Sequence, residues 1–347
     1  MQRRALLASL LAAPAAALAS QAPAARWRER LAAARGRSPS PAPAQDTNAL
    51  QWLDPQRQRS LPLRLRLPPG TGVAPLVLFS HGLGGNLDAG TRWAQAWAQA
   101  GIATLHLQHP GSDTVVLRTG GMAALKSVAN ATQLAERARD VHFVLNELAN
   151  RQRAGDALLQ RLDLQAIGVA GHSFGAHTSM AVAGQRFARE GAALADPRPR
   201  AFAAFSPSPG QHDDPRGAFA DIRRPVLCLT GSLDADALSL ASPRGREAAE
   251  RADRGHWRRA VFDALPAGDK AELWLEGADH ATFAGSAPAP GRTRPPAALE
   301  GAAHHDALIA QTTTLWWQAQ LQDDERARDA LQRPPAALRT GDQWRRG

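Results

Sequence analysis

At 347 residues the chain is long enough to bury a large core, and its 44% hydrophobic and 21% charged content excludes a disordered or fibrous protein. The net charge of +9 reflects 41 basic against 32 acidic residues. The basic residues are almost all arginines scattered along the chain, with no block interleaved with aromatics, so nucleic acid is not an expected partner.

The N-terminus has the layout of a secretory signal peptide over residues 1–19. Arg3-Arg4 precedes the apolar run Ala5-Leu6-Leu7-Ala8-Ser9-Leu10-Leu11, and small residues end at Ala17-Leu18-Ala19, the expected cleavage site. Export to the periplasm or the exterior follows, and the paired arginines loosely fit a twin-arginine signal. The run is too short and too alanine-rich for stable membrane insertion. Residues 20–55 read as an Ala/Pro/Arg-rich linker, 56–322 as the folded domain and 323–347 as a polar, peripheral tail.

Folded structure is expected to begin near Leu61, where Leu61, Leu63, Leu65 and Leu67 alternate with polar or proline positions in the period of an edge strand. Leu76-Val77-Leu78-Phe79-Ser80 is a continuous apolar run suited to a central parallel strand, and it delivers His81-Gly82-Leu83-Gly84-Gly85 at its end. A helix over 88–99, a strand over 102–107 and a sharp turn at His109-Pro110-Gly111-Ser112-Asp113 follow. Residues 114–131 leave room for a short helix facing the site, and 132–150 carry Leu134, Val141, Leu145 and Leu148 at helical spacing. Ala201–Phe205, Val226–Thr230 and Glu272–Leu275 read as further strands. Helical segments are expected over 246–264 and 306–321, with loop over 285–300. Alternating strands and helices argue for a parallel α/β sheet with its site at the carboxyl ends of the strands. Cys228, the single cysteine, excludes an internal disulfide and reads as a small buried hydrophobe in Val226-Leu227-Cys228-Leu229.

The chemistry centres on Ile167-Gly168-Val169-Ala170-Gly171-His172-Ser173-Phe174-Gly175. A buried strand running into Gly-x-Ser-x-Gly and then a helix is the pattern of a nucleophile elbow. Ser173, Asp234 and His280 then fall at three strand ends in the order Ser…Asp…His. A serine hydroxyl needs a histidine base to become nucleophilic, and the histidine needs an acceptor that fixes its tautomer. Asp234 is the first choice for that acceptor and Asp236 the alternative; Asp279 is too close to His280 in sequence. Backbone N–H groups of Leu83 and Phe174 are the expected oxyanion donors, with His81 structural and His172 and His177 packing beside the elbow. His304-His305-Asp306 reads as a helix N-cap rather than a metal cluster. No metal and no cofactor are expected.

Taken together, several segments resemble the dienelactone-hydrolase-like branch of the α/β-hydrolases, which shades into platelet-activating-factor acetylhydrolases, chlorophyllases and cutinase-like polyester hydrolases. They are Leu78–Gly85, His109–Ser112, Arg139–Leu145, Gly171–Ala176, Phe205–Pro207, Thr230–Asp234 and Glu276–Phe283. The resemblance covers residues 60–322. It implies an α/β-hydrolase fold, a mostly parallel central sheet flanked by helices on both faces. It also implies a Ser173–Asp234–His280 triad with Leu83 and Phe174 as donors, acting through an acyl-enzyme on a small-molecule ester or lipid-like substrate. Two departures stand out: a dienelactone hydrolase carries a cysteine nucleophile where this chain has serine, and the polyester hydrolases have a C-terminal disulfide that one cysteine cannot form. Acyl transfer to another acceptor, lipid- or polyester-specific hydrolysis, and a non-catalytic binding role are the alternatives on the same scaffold. Oligomeric state is not legible in the sequence.

Overall fold

Strands buried on both faces are written in this sequence as continuous apolar runs, and six of them form the centre of one sheet. A computed structural model describes residues 45–47, 49–187, 193–210, 214–235, 255–287 and 293–347, all within one unit, Pro43–Gly347. The parallel strands are β4 (Ala74–Ser80), β5 (Ala103–Leu107), β6 (Leu162–His172), β7 (Ala201–Phe205), β8 (Val226–Leu233) and β9 (Lys270–Asp279). Their spatial order is β5-β4-β6-β7-β8-β9.

Side chains alternate between the two faces, as the pleat requires. Leu76 and Leu78 pack into one core layer, whereas Val77 and Phe79 pack into the other. The same alternation sends Val226 and Cys228 to the first layer and Leu227 and Leu229 to the second. Helices α3 (Ala131–Arg153), α4 (Phe174–Ala183) and α6 (His256–Ala264) cover the first face; α1 (Thr91–Gln99) and α8 (Ala302–Leu321) cover the second. The remaining helices are α2 (Thr114–Ser127), α5 (Pro215–Phe219), α7 (Pro296–Glu300) and α9 (Glu325–Ala330). Among the described residues no helix is long and apolar enough to cross a membrane.

Both edges of the sheet extend beyond the sequence expectation. β3 (Arg59–Leu67) runs antiparallel to β5, and two earlier strands, β1 (Gln45–Asp46) and β2 (Leu50–Asp54), pair with it. Pairing therefore starts before the Leu61 expected, inside the stretch read as linker. At the other edge the tail returns as β10 (Gln343–Arg346), antiparallel to β9. Arg345 makes a two-pronged ion pair with the buried Glu272 carboxylate, at 2.7 and 2.8 Å. That charge pairing across the edge is what binds a segment polar enough to be read as peripheral.

The segment after β5 forms a longer helix than expected: α2 spans 14 residues with a kink at Gly121. The loop expected over 285–300 contains α7, and the helical segment expected from Arg246 is described only from His256.

Candidate active site

At the carboxyl end of β6 the chain turns into α4 through Ser173, whose backbone sits at φ 56° and ψ −115°. A non-glycine residue there is strained, and the strain persists only where the surroundings enforce it. Two glycines do so. A Cβ on Gly171 would overlap the Gly175 carbonyl, and one on Gly175 would overlap the Ser80 carbonyl of the neighbouring strand. Ser173 is half-buried at the positive end of α4, with its carbonyl accepting the N–H groups of Ala176 and His177 at 2.8 and 3.2 Å.

Asp234 follows β8 and is fully buried. Its Oδ1 accepts the Nδ1–H of His280, which follows β9, at 2.7 Å, and its Oδ2 accepts the Thr230 hydroxyl at 2.9 Å. Burial by itself raises this carboxyl, but the charge of the Arg258 guanidinium, then the charge and hydrogen bond of His280, outweigh it and hold it down at about 2. Asp234 is thus an anion throughout the neutral range. Asp236, the alternative acid, lies outside the described residues. Asp279 is committed elsewhere: its Oδ1 accepts from Arg294 at 2.7 Å and from the Thr282 N–H at 2.9 Å.

His172, the residue before Ser173, contacts His280. The His172 ring packs on the His280 ring at a centroid distance of 4.7 Å, and its Nε2–H donates to the His280 carbonyl at 3.0 Å. Burial above all, then the neighbouring His280, keeps the His172 imidazole neutral by pulling its pKa well below the ordinary value. Its other nitrogen faces Gly82, where an added Cβ would stand 3.0 Å away. His177, four residues beyond Ser173, shares a 2.7 Å hydrogen bond with the Ser208 hydroxyl.

The turn after β4 comes up against the elbow. A Cβ on Gly82 would lie 3.4 Å from Ser173 Cβ. The Gly85 N–H donates to the Gly82 carbonyl at 3.0 Å and Gly84 adopts φ 74°, which makes Gly82–Gly85 a turn of the type that needs glycine at its third position. Leu83 occupies the second position. Among the described residues neither the Leu83 N–H nor the Phe174 N–H has an intramolecular acceptor. His81 is fully buried: its Nδ1–H donates to the Gly82 carbonyl at 2.6 Å while its Nε2 accepts the His109 N–H at 2.9 Å.

Three further features went unread in the sequence. Arg258 of α6 is buried against the Asp234–His280 pair, donating to the carbonyls of Asp234, Ser206 and Ala235. No pattern distinguishes it from the other arginines. A second Ser–His–Asp array, Ser80–His109–Asp140, lies wholly buried under the Gly-rich turn, with Ser80 Oγ 3.0 Å from His109 Nε2 and His109 Nδ1 2.9 Å from Asp140 Oδ2. Arg137 of α3 is buried in the same region. His304-His305-Asp306 does not cap a helix as expected. α8 begins at Ala302, and the three side chains disperse to Asp342, the Glu276 carbonyl and Arg92. The helix starts one turn earlier than the cap reading supposed, which puts these residues inside it.

No family model and no curated protein matches the chain. Among solved structures it is similar to a ferulic acid esterase from Streptomyces cinnamoneus, at 22% identity and a TM-score of 0.55, over 86% of this chain and 96% of that one. The likeness is one of fold, and with the elbow and the parallel sheet it defines an α/β-hydrolase fold.

Proposed function

We propose that this protein is a serine hydrolase of carboxylic esters, with Ser173 as nucleophile, His280 as base and Asp234 as the acid that orients it. The observation that carries the reading is the 2.7 Å Asp234–His280 hydrogen bond beside a serine held at φ 56° on a strand-to-helix turn. With Nδ1 engaged by Asp234, the His280 Nε2 is the nitrogen left to take a proton.

In this mechanism Ser173 Oγ attacks the ester carbonyl carbon while its proton passes to His280 Nε2. The carbonyl electron pair moves onto oxygen, and the Leu83 and Phe174 N–H groups receive that oxyanion. The pair returns, the C–O bond to the alcohol breaks, and His280 gives its proton to the departing alkoxide. Water then attacks the Ser173 ester with His280 again as base, releasing a carboxylic acid and free Ser173. The buried anion Asp234 stabilises the imidazolium in both halves.

The structurally similar ferulic acid esterase makes feruloyl esters the first aromatic acyl esters to assay, beside aliphatic ones. The resemblance to the dienelactone-hydrolase-like branch supports the same reaction class. The basic, apolar and small-residue regions of 1–19 support export, and N-terminal sequencing of the protein recovered from its host tests that. The catalytic reading is tested by a fluorophosphonate probe and a p-nitrophenyl ester series from acetyl to palmitoyl. Labelling and turnover are expected in the wild type and absent in Ser173→Ala. A wild-type protein inert to both would sink it.

A further inference from the structure

Leu83 and Phe174 belong to different elements, yet one buried cation holds both. The Arg137 guanidinium donates from Nη2 to the His81 carbonyl, from Nη1 to Ser112 Oγ at 3.2 Å and from Nε to Thr178 Oγ1 at 2.9 Å. The Thr178 hydroxyl donates in turn to the Phe174 carbonyl at 3.0 Å, and the guanidinium carbon lies 4.8 Å from the centre of the Phe174 ring. One planar fork therefore grips the residue before the Gly-rich turn and the residue after the nucleophile.

The grip reaches the Leu83 N–H through the peptide planes. A trans peptide points its C=O and N–H in opposite directions, and no peptide bond among the described residues is cis. The Gly82 carbonyl, which shares its plane with the Leu83 N–H, accepts from both His81 Nδ1 and the Gly85 N–H. Its direction is fixed, so the Leu83 N–H direction is fixed too. His81 makes that bond while accepting the His109 N–H at Nε2 only as the neutral Nδ1–H tautomer. Burial, then the charge of Arg137 and the nearby His109, keep it neutral by pulling its pKa well below the ordinary value. His81 is in turn anchored by Arg137 at its carbonyl and by the His109 N–H at Nε2.

We propose that Arg137 is a positioning residue that clamps the turn carrying the Leu83 N–H against the first turn of α4, which carries the Phe174 N–H, so that the two form one preformed oxyanion site; this rests on the ester hydrolase reading above. It touches no substrate. Its contribution is to remove the reorganisation that two independently mobile donors would need as charge develops on the carbonyl oxygen. Burial lowers Arg137 to about 9, which leaves it protonated near neutral pH. Lysine cannot replace it, because an ammonium lacks the fork that spans the His81 carbonyl, Ser112 and Thr178.

The experiment compares wild type, Ser173→Ala, Arg137→Lys and Thr178→Val. Wild-type turnover that is absent from Ser173→Ala establishes the hydrolase reading independently; without it, that reading fails before the clamp is reached. Given turnover, Arg137→Lys is expected to lose about 10²-fold in kcat, the scale of one oxyanion donor, with KM unchanged. Affinity for a trifluoromethyl ketone, which forms a tetrahedral adduct on Ser173, should fall by the same factor. Thr178→Val, which removes the hydroxyl bridge from Arg137 to the Phe174 carbonyl and leaves the hold on His81 and the ring contact in place, should move both quantities the same way by a smaller factor. Wild-type kcat in a folded Arg137→Lys overturns the proposal, and so does a kcat loss that spares trifluoromethyl ketone affinity. If Arg137→Lys does not fold, full kcat in Thr178→Val overturns it.

Discussion

Arg258 Nε lies 3.0 Å from Asp234 Oδ1, the same oxygen that accepts the His280 Nδ1–H. Arg258 Nη2 also stands 3.4 Å from His280 Nδ1; with that nitrogen donating to Asp234, the approach is between two donors and makes no hydrogen bond. The carboxylate is thus shared between a permanent cation and the imidazole it orients.

Removing Arg258 leaves a buried carboxylate with less compensation, and Arg258→Gln should destabilise the fold by about 3–5 kcal/mol near neutral pH. The pH dependence identifies the cause. Asp234 is held at about 2 in the folded protein, against about 3.9 unfolded. A depressed carboxyl contributes stability above the unfolded value and loses it as pH falls through the folded one. In Arg258→Gln burial is less opposed and the folded value rises. The unfolded value is common to both proteins, so the gap should be widest above the variant's raised folded value and close as pH falls through that value toward about 2. Urea unfolding across that range checks this, and a gap independent of pH would refute the assignment to Asp234.

Strain at Ser173 separates two ways of removing its hydroxyl. Ser173→Ala keeps a Cβ at φ 56°, whereas Ser173→Gly relieves the conformation at some entropic cost to folding, because glycine leaves the unfolded chain freer. Both variants should be inactive, but Ser173→Gly should be the more stable by about 1 kcal/mol. Equal melting temperatures would show that the elbow stores no strain at this residue.

The central strands were legible because burial on both faces forces an unbroken apolar run. The elbow was legible because its two glycines answer to a local overlap. Outer strands lack such a signature: Gln343-Trp344-Arg345-Arg346 joins the sheet through Glu272, a partner 73 residues away for Arg345. The same holds for β2, where Leu53 is exposed and Asp54 buried, the reverse of what an apolar-in, polar-out pattern would show. Of the candidate site, Ser173, Asp234 and His280 were each nameable from strand ends, and Asp234 and His280 stand in contact. Arg137 and Arg258 were not nameable. They are two among many arginines, and their meaning depends on which carbonyls the folded chain turns toward them. His304-His305-Asp306 misled because a polar cluster before an apolar run resembles a cap, although the helix had already begun.

Buried neutral histidines should make the protein acid-sensitive well above the carboxylate range. Burial is the largest cause in each case: it lowers His106 and His109 to about 4 and pulls His81 and His172 well down. Unfolded histidine titrates near about 6.5, so below that pH the unfolded chain binds protons that the folded one refuses. Stability from these groups is complete above about pH 6.5 and falls as pH drops toward about 4, by up to about 1.4 kcal/mol per pH unit for each histidine. His106 is the best single test, since its Nε2 has no partner and its ring packs beside Phe79. His106→Phe should remove one proton's worth of this slope in unfolding experiments between about pH 4 and 6.5. An unchanged slope would mean that His106 is not among the groups resisting protonation.

Two Ser–His–Asp arrays in one chain allow an internal control. Ser80, His109 and Asp140 have triad-like spacing, but Ser80 is 1% exposed and the other two are fully buried. Asp140 is also engaged by Arg59 at 2.7 Å, and at about 2 it is as firmly anionic as Asp234. What this array lacks is access: Ser80, the last residue of β4, is buried, whereas Ser173 is half-buried on the turn that follows β6. A fluorophosphonate probe should therefore label wild type once, at Ser173, and leave Ser173→Ala unlabelled in the native state. Ser80→Ala should retain full labelling at Ser173, with any loss of activity tracking a loss of stability as the Ser80–His109 bond is removed. Peptide mapping of the labelled protein decides the matter, and a modified Ser80 in the folded protein would show that the nucleophile belongs to the buried array instead.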